Sequence, residues 1–148
     1  MSYNVENGFK QADGTANAPF INNVNTSTQV AFTQADGASS NIADVQFEIQ
    51  DAEGNAITFP TIVNVWLSDA ATGVGLTATT ASGTVAVDGV GALVGTLEAK
   101  KALVIQTTAA GLGRIAITDT ANTGFYVCVQ CPFSGQTFVS DEITSYAA

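Results

Sequence analysis

The side chains able to do chemistry are few, and histidine is absent altogether. That removes the commonest general base and zinc ligand. Cys128-Val-Gln-Cys131 has the spacing of a metal knuckle or a redox pair. A zinc site needs four ligands, and no second pair accompanies it. A redox pair needs its first cysteine at a helix N-terminus, whereas Phe125, Val127 and Val129 alternate as in a strand. In extended chain the two cysteines stand about 10 Å apart, beyond disulfide reach. The reading is a pair of reduced, semi-buried thiols. Asp51-Ala-Glu53-Gly-Asn55 offers alternating oxygens that could touch calcium, but no bidentate glutamate follows at the required spacing. It reads as a solvated turn, because Gly and Asn tolerate positive φ and Asp bonds its own backbone. Lys100 and Lys101 sit beside Glu98 in a polar turn, and Asp141-Glu142 reads as a polar strand face or edge guard. No Gly-x-Ser-x-Gly elbow and no phosphate-cradling glycine loop occurs. The expectation is a protein that is not an enzyme and takes no cofactor or metal.

Charge narrows the partners. Thirteen acidic residues against four basic ones, Lys10, Lys100, Lys101 and Arg114, give a net charge of −9. Such a surface repels a phosphate backbone, so nucleic acid is not an expected partner. No apolar run is long enough for a bilayer helix, and MSYNVENGFKQADG lacks the basic start and apolar stretch of a secretory signal. Synthesis in a cytoplasm, without export by that route, is the expectation.

The elements that must position these residues are strands. Val45, Phe47 and Ile49 alternate with Asp44, Gln46, Glu48 and Gln50, giving one buried and one wet face. After the acidic turn, Val63, Val65 and Leu67 line one face of the next strand, and Ile62, Asn64 and Trp66 the other. Further strands are expected around Val30–Phe32, Leu76–Thr80, Thr84–Val87, Leu93–Leu97, Ala102–Ile105, Arg114–Thr118, Phe125–Val129 and Thr137–Ile143, with Gly or Asx turns between them. Ile115 and Ile117 should point inward, and Pro132-Phe-Ser-Gly135 should close a hairpin. No 3.6-residue pattern persists for three turns. About nine short strands spaced 8–12 residues apart predict an all-β, antiparallel sandwich.

Residues 1–27 read as an extended N-terminal arm, ordered where Pro19-Phe20-Ile21 finds a surface, ahead of a domain over 28–148; a floppy terminus is the equal alternative. The arm is polar, with isolated Phe9, Phe20 and Ile21 as candidate docking residues. Trp66 is the fourth candidate. Either it points off the core and serves as a contact anchor, or the register is reversed and it is core; both orientations stay open.

The order of the pieces carries a resemblance over about residues 43–144. An alternating strand ending in Asp51-x-x-Gly54-Asn55, an apolar strand ending near Ser68, the late Thr107-Thr-Ala-Ala-Gly-Leu-Gly-Arg-Ile-Ala-Ile-Thr118, and Gly124-Phe-Tyr-Val-Cys-Val129 together resemble the bacterial immunoglobulin-like domains of the invasin/intimin type. The segment Leu76–Leu97 departs from that pattern and leaves its strand order open. No cysteine near Phe47 completes an antibody-type disulfide. A free-standing domain of this style with an arm looks similar to virion accessory proteins of tailed bacteriophages, such as capsid decoration or head-fibre proteins. The resemblance implies an immunoglobulin-like fold and a structural role on the virion. The major capsid protein would be the partner, further copies of the chain a second one, and no membrane is involved. The arm would lie between capsid subunits. The rival role is an adhesion module for host-surface carbohydrate or protein, which would favour exposed aromatics at loop tips.

Overall fold

The computed structural model describes residues 26–148. Their strands are β1 (Gln29–Asp36), β2 (Ile42–Gln50), β3 (Ile62–Ser68), β4 (Val85–Val87), β5 (Ala92–Glu98), β6 (Ala102–Gln106), β7 (Leu112–Thr118), β8 (Tyr126–Gln130) and β9 (Thr137–Val139). They form two antiparallel sheets, ordered β1-β2-β7-β4 and β5-β6-β3-β8-β9. Period-two alternation builds the core between them. Val45, Phe47 and Ile49 of β2 and Ile115 and Ile117 of β7 meet Val63, Val65 and Leu67 of β3, Ile105 of β6, and Val127 and Val129 of β8. All of these are buried, so the chain is the expected all-β sandwich.

The strand order is compatible with an immunoglobulin-like topology, with one departure. After β3 the chain first reaches the far edge of the opposite sheet as β4, then returns to the far edge of the first as β5, and only then pairs β6 with β3. This is the stretch whose order the sequence left open. The segment Leu76–Thr80, expected as a strand, is a loop. The amide of Thr77 does donate to the Leu67 carbonyl (2.8 Å). Its hydroxyl, however, bonds the Asp69 carboxylate and lies within 2.8 Å of the Thr79 carbonyl. Local side-chain bonds there compete with a sheet ladder.

The turn after β2 does not pair the two strands it joins. β2 and β3 lie in different sheets, and the connection crosses the end of the sandwich with Ile57 buried beneath it. The C-terminal residues differ as well. β9 stops at Val139, and residues 140–148 cross toward the other sheet. The Ile143 amide bonds the Phe125 carbonyl (2.9 Å) with its side chain in the core, and Ala147 exchanges backbone bonds with Asn41 and Ile42. Asp141 and Glu142 are therefore not a strand face. Their backbone carbonyls accept the Gln34 side-chain amide at 2.9 and 3.2 Å, tying the crossing to β1.

Phe47 is among the largest fully buried side chains, and its antiparallel partner is Gly113. A Cβ at that glycine would stand 2.3 Å from the ring's Cζ, so the ring fills the place of a side chain. Gly113→Ala should therefore destabilise the domain by about 1–3 kcal/mol, the usual cost of overpacking. Urea denaturation should show this as a lowered midpoint at unchanged slope.

Candidate functional site

Trp66 lies on the face of β3 away from the core, since Val63, Val65 and Leu67 take the inner one. It is half-buried there, because the loop after β3 folds back over it. Trp66 Nε1 donates to the Gly73 carbonyl at 3.3 Å, and the Ser68 hydroxyl donates to the Val74 carbonyl at 3.2 Å. Gly73 has a φ of +71°, and a Cβ on it would stand 2.7 Å from Val139 Cγ2 and 3.1 Å from Cys128 Sγ. Only glycine lets the loop come this close. The outward orientation is the observed one, but the indole holds the chain's own loop.

Cys128 sits opposite Trp66 in the ladder and is covered by the same loop. Both cysteines are free and buried. Cys131 belongs to the core cluster, so the two thiols serve opposite faces of the sheet. Burial pushes the Cys128 thiol up to about 12. A thiol so held is protonated at neutral pH and a poor nucleophile.

Three carboxylates organise loops. Asp51 is buried, correcting the expectation of a solvated turn. Its Oδ1 accepts the amides of Glu53 and Asn55, both at 2.9 Å, as an Asx turn does. Asp69 accepts the Thr77 hydroxyl and the Ala78 amide, and these bonds hold its carboxyl below the usual range. Asp119, only 2% exposed, joins two loops by accepting the Ser82 amide (3.0 Å) and the Thr123 amide (2.8 Å). Burial opposes its charge, but the hydrogen bonds from Thr123 and Ser82 outweigh it and lower the carboxyl to about 2. Among the described residues, no three His, Cys, Asp or Glu side chains gather to hold a metal ion.

The two outer faces differ in charge. That of the β1-β2-β7-β4 sheet carries Asp44, Glu48 and Arg114, with Arg114 paired to Asp88 at 3.0 Å. Burial and then the nearby Asp88 raise the Asp44 carboxyl, with Arg114 opposing them. On the other sheet, the outward positions away from the Gly73 loop are Ala92, Gln106 and Ile62 in one row and Gly95, Val104, Asn64, Gln130 and Thr137 in the next. Neither row carries a charge.

Among the described residues, that uncharged face ends at β5, which pairs there with β6 alone. Nearly every β5 residue is exposed, including Leu93, Val94 and Leu97, each by more than half. Register shifts fall at Val94 and at Leu97, so their side chains leave the simple alternation. In the sequence, Leu93–Leu97 has the letters of an ordinary strand. Its apolar letters carry no sign of which strand will lie at an edge. Of the candidate contact residues, Phe9, Phe20 and Ile21 lie outside the described residues, and Trp66 stands apart from the β5 strip on a central strand.

Two tests follow from this geometry. The folded-state pKa of Asp119 lies below its unfolded value of 3.8. Its contribution to stability is therefore complete above about pH 4 and is lost as pH falls toward about 2. Chemical denaturation across that window should show an acid limb that Asp119→Asn flattens. In the native protein, iodoacetamide near neutral pH should leave both thiols intact by mass spectrometry, and it should label both once urea unfolds the chain. No family model, characterised protein or solved structure matches the chain in sequence or structure comparison.

Proposed function

We propose that this chain is a structural protein of a tailed-bacteriophage virion that docks on the assembled capsid as a decoration or cement protein. One observation carries the docking reading: the seven-residue edge strand β5, paired on one side and exposed with Leu93, Val94 and Leu97. Such an edge can add a strand or bury its apolar side chains against a partner. The irregularities at Val94 and Leu97 blunt repetitive edge-to-edge stacking of free copies while leaving both side chains exposed. A net charge of −9 opposes self-association in solution as well. The virion assignment rests on the resemblance of sequence pieces described above. The partner is then the major capsid protein, and the chain reaches the virion from the host cytoplasm.

A second reading, the adhesion module, gains support from Phe59 and Phe133. Both are exposed aromatics, in the β2–β3 connection and the β8–β9 turn. Carbohydrate recognition would use such side chains, and a glycan array would reveal it.

The decisive experiment is co-sedimentation with particles stripped of the chain. Leu93→Ser, Val94→Ser and Leu97→Ser combined should weaken binding at least about ten-fold, or about 1.4 kcal/mol. The melting temperature should stay within a few degrees of the parent, since these side chains are exposed. Binding at parental strength would sink the reading.

A further inference from the structure

Ala102, Trp66, Cys128 and Val139 form one row across the outer face of the second sheet. Cys128 is fully buried and Trp66 half-buried, although that row faces away from the core. The cover is the loop of residues 69–78, whose Gly73 sits against Cys128, Thr137 and Val139. Its own apolar side chains do not hold it there. Val74 is 77% exposed and Leu76 is exposed as well, and within the loop only Gly73 and Thr77 are buried. A cover that buries so little apolar surface of its own opens at a lower cost than the sandwich unfolds.

Polar bonds hold the loop instead. The carbonyls of Gly73 and Val74 accept Trp66 Nε1 (3.3 Å) and the Ser68 hydroxyl (3.2 Å). One side chain joins the two feet of the loop. Asp69 Oδ1 accepts the Thr77 hydroxyl, and Oδ2 accepts the Ala78 amide at 2.8 Å. The Thr77 hydroxyl has a second acceptor in reach, the Thr79 carbonyl at 2.8 Å, so its proton has somewhere to turn once Asp69 is neutral. Between the feet, Gly73 and Gly75 both have positive φ, at +71° and +75°. Such glycines let the backbone change direction on either side of Val74.

We propose that residues 69–78 are a lid over Trp66 and Cys128, latched by Asp69 and released by acid while the sandwich stays folded. The bonds from Thr77 and then Ala78 hold the Asp69 carboxyl below its usual 3.8. The latch is therefore complete above about pH 4 and is lost as pH falls through that lowered value. A protonated carboxyl forfeits the charge that strengthens both bonds. Lys101 draws Asp69 toward its ionised form and is itself paired with Glu98 at 3.4 Å. On β8, Tyr126 opposite Ser68 and Cys128 opposite Trp66 gain no charge in acid. The Asp119 carboxyl, lowered to about 2, keeps its own clamp through the upper part of this range, so local release comes before global loss. Release bares an indole and a thiol beside the uncharged row of Val104, Asn64, Gln130 and Thr137. It requires neither a capsid partner nor β5.

The chain carries its own reporters, a single tryptophan and two cysteines. Cys128 lies under the lid, whereas Cys131 belongs to the core cluster and reacts only when the sandwich opens. The test treats the full chain with a dipyridyl disulfide, which reacts with thiols in acid, from about pH 5 to about pH 3. The rate at each thiol is divided by its rate in the urea-unfolded chain at the same pH. Toward the acid end Cys128 should gain about ten-fold, the scale of one lost charge-assisted hydrogen bond, with Cys131 still protected. Acrylamide quenching of Trp66 should rise over the same range. Asp69→Asn should speed Cys128 labelling already at neutral pH and flatten its pH dependence. Thr77→Val, which keeps the carboxylate and loses the hydroxyl, should act in the same direction. A Cys128 rate indifferent to pH overturns the proposal, as does Cys128 protected in Asp69→Asn as fully as in the parent. Both thiols reacting together, in acid or in either variant, overturns it as well.

Discussion

The aromatic ring of Phe47 lying where Gly113 has no side chain is the contact on which the rest of the sandwich depends. It fixes the register of β2 against β7, because a slip by one residue would turn every side chain of β2 to the wrong face. With that register set, Val45 meets Ile115 and Ala43 meets Ile117 on the inner surface, and the second sheet finds a continuous apolar floor. An aromatic laid over a strand glycine also restores the packing that glycine lacks. The connections are then free to vary, provided each satisfies its own backbone.

They do so with single carboxylates. Asp51, Asp69 and Asp119 each gather donors from their own or a neighbouring loop, and so replace the ladder bonds that the chain gives up on leaving a strand. This gives part of the acidic composition a structural job. Asp51, which reads from sequence as solvated turn chemistry, acts instead as an internal clamp, and both it and Asp119 are almost wholly buried. The difference could not be read from the letters, because an Asx turn has the same local signature whether water or protein covers it.

Alternation made the strands legible. β2, β3, β7 and β8 each place inward the residues that a two-residue period picks out, and the turn spacing predicts the antiparallel sandwich seen over the described residues. Three things stayed hidden for physical reasons. Leu76–Thr80 has the β-branched letters of a strand, yet Thr77 finds a partner in Asp69, eight residues away, and the segment stays a loop. β2 and β3 look like a hairpin because a turn joins them, and only the demand for a second apolar layer sends them to different sheets. Alternation leaves open whether the row carrying Trp66 faces the core, and nothing local reveals that the loop after β3 returns to cover it. The candidate surface was the least legible part. Exposure of Leu93, Val94 and Leu97 depends on β5 having no strand beyond it among the described residues, which is a property of topology and not of composition.

The path of the last residues has a mechanical consequence. The described chain comes in beside Gln50 at one end of the sandwich, while Ala147 is bonded to Asn41 and Ile42 at the other. Tension between these two points runs along β1 and β2, roughly perpendicular to the hydrogen bonds that join them. That load passes through the covalent chain of β1 and its turn to Asn41 and Ile42, and falls next on the two backbone bonds that hold Ala147 there. The crossing segment anchored by Ile143 adds a plug that must leave the core before the sheets can slide. A body held at one end and pulled at the other would find this domain stiff along its long axis.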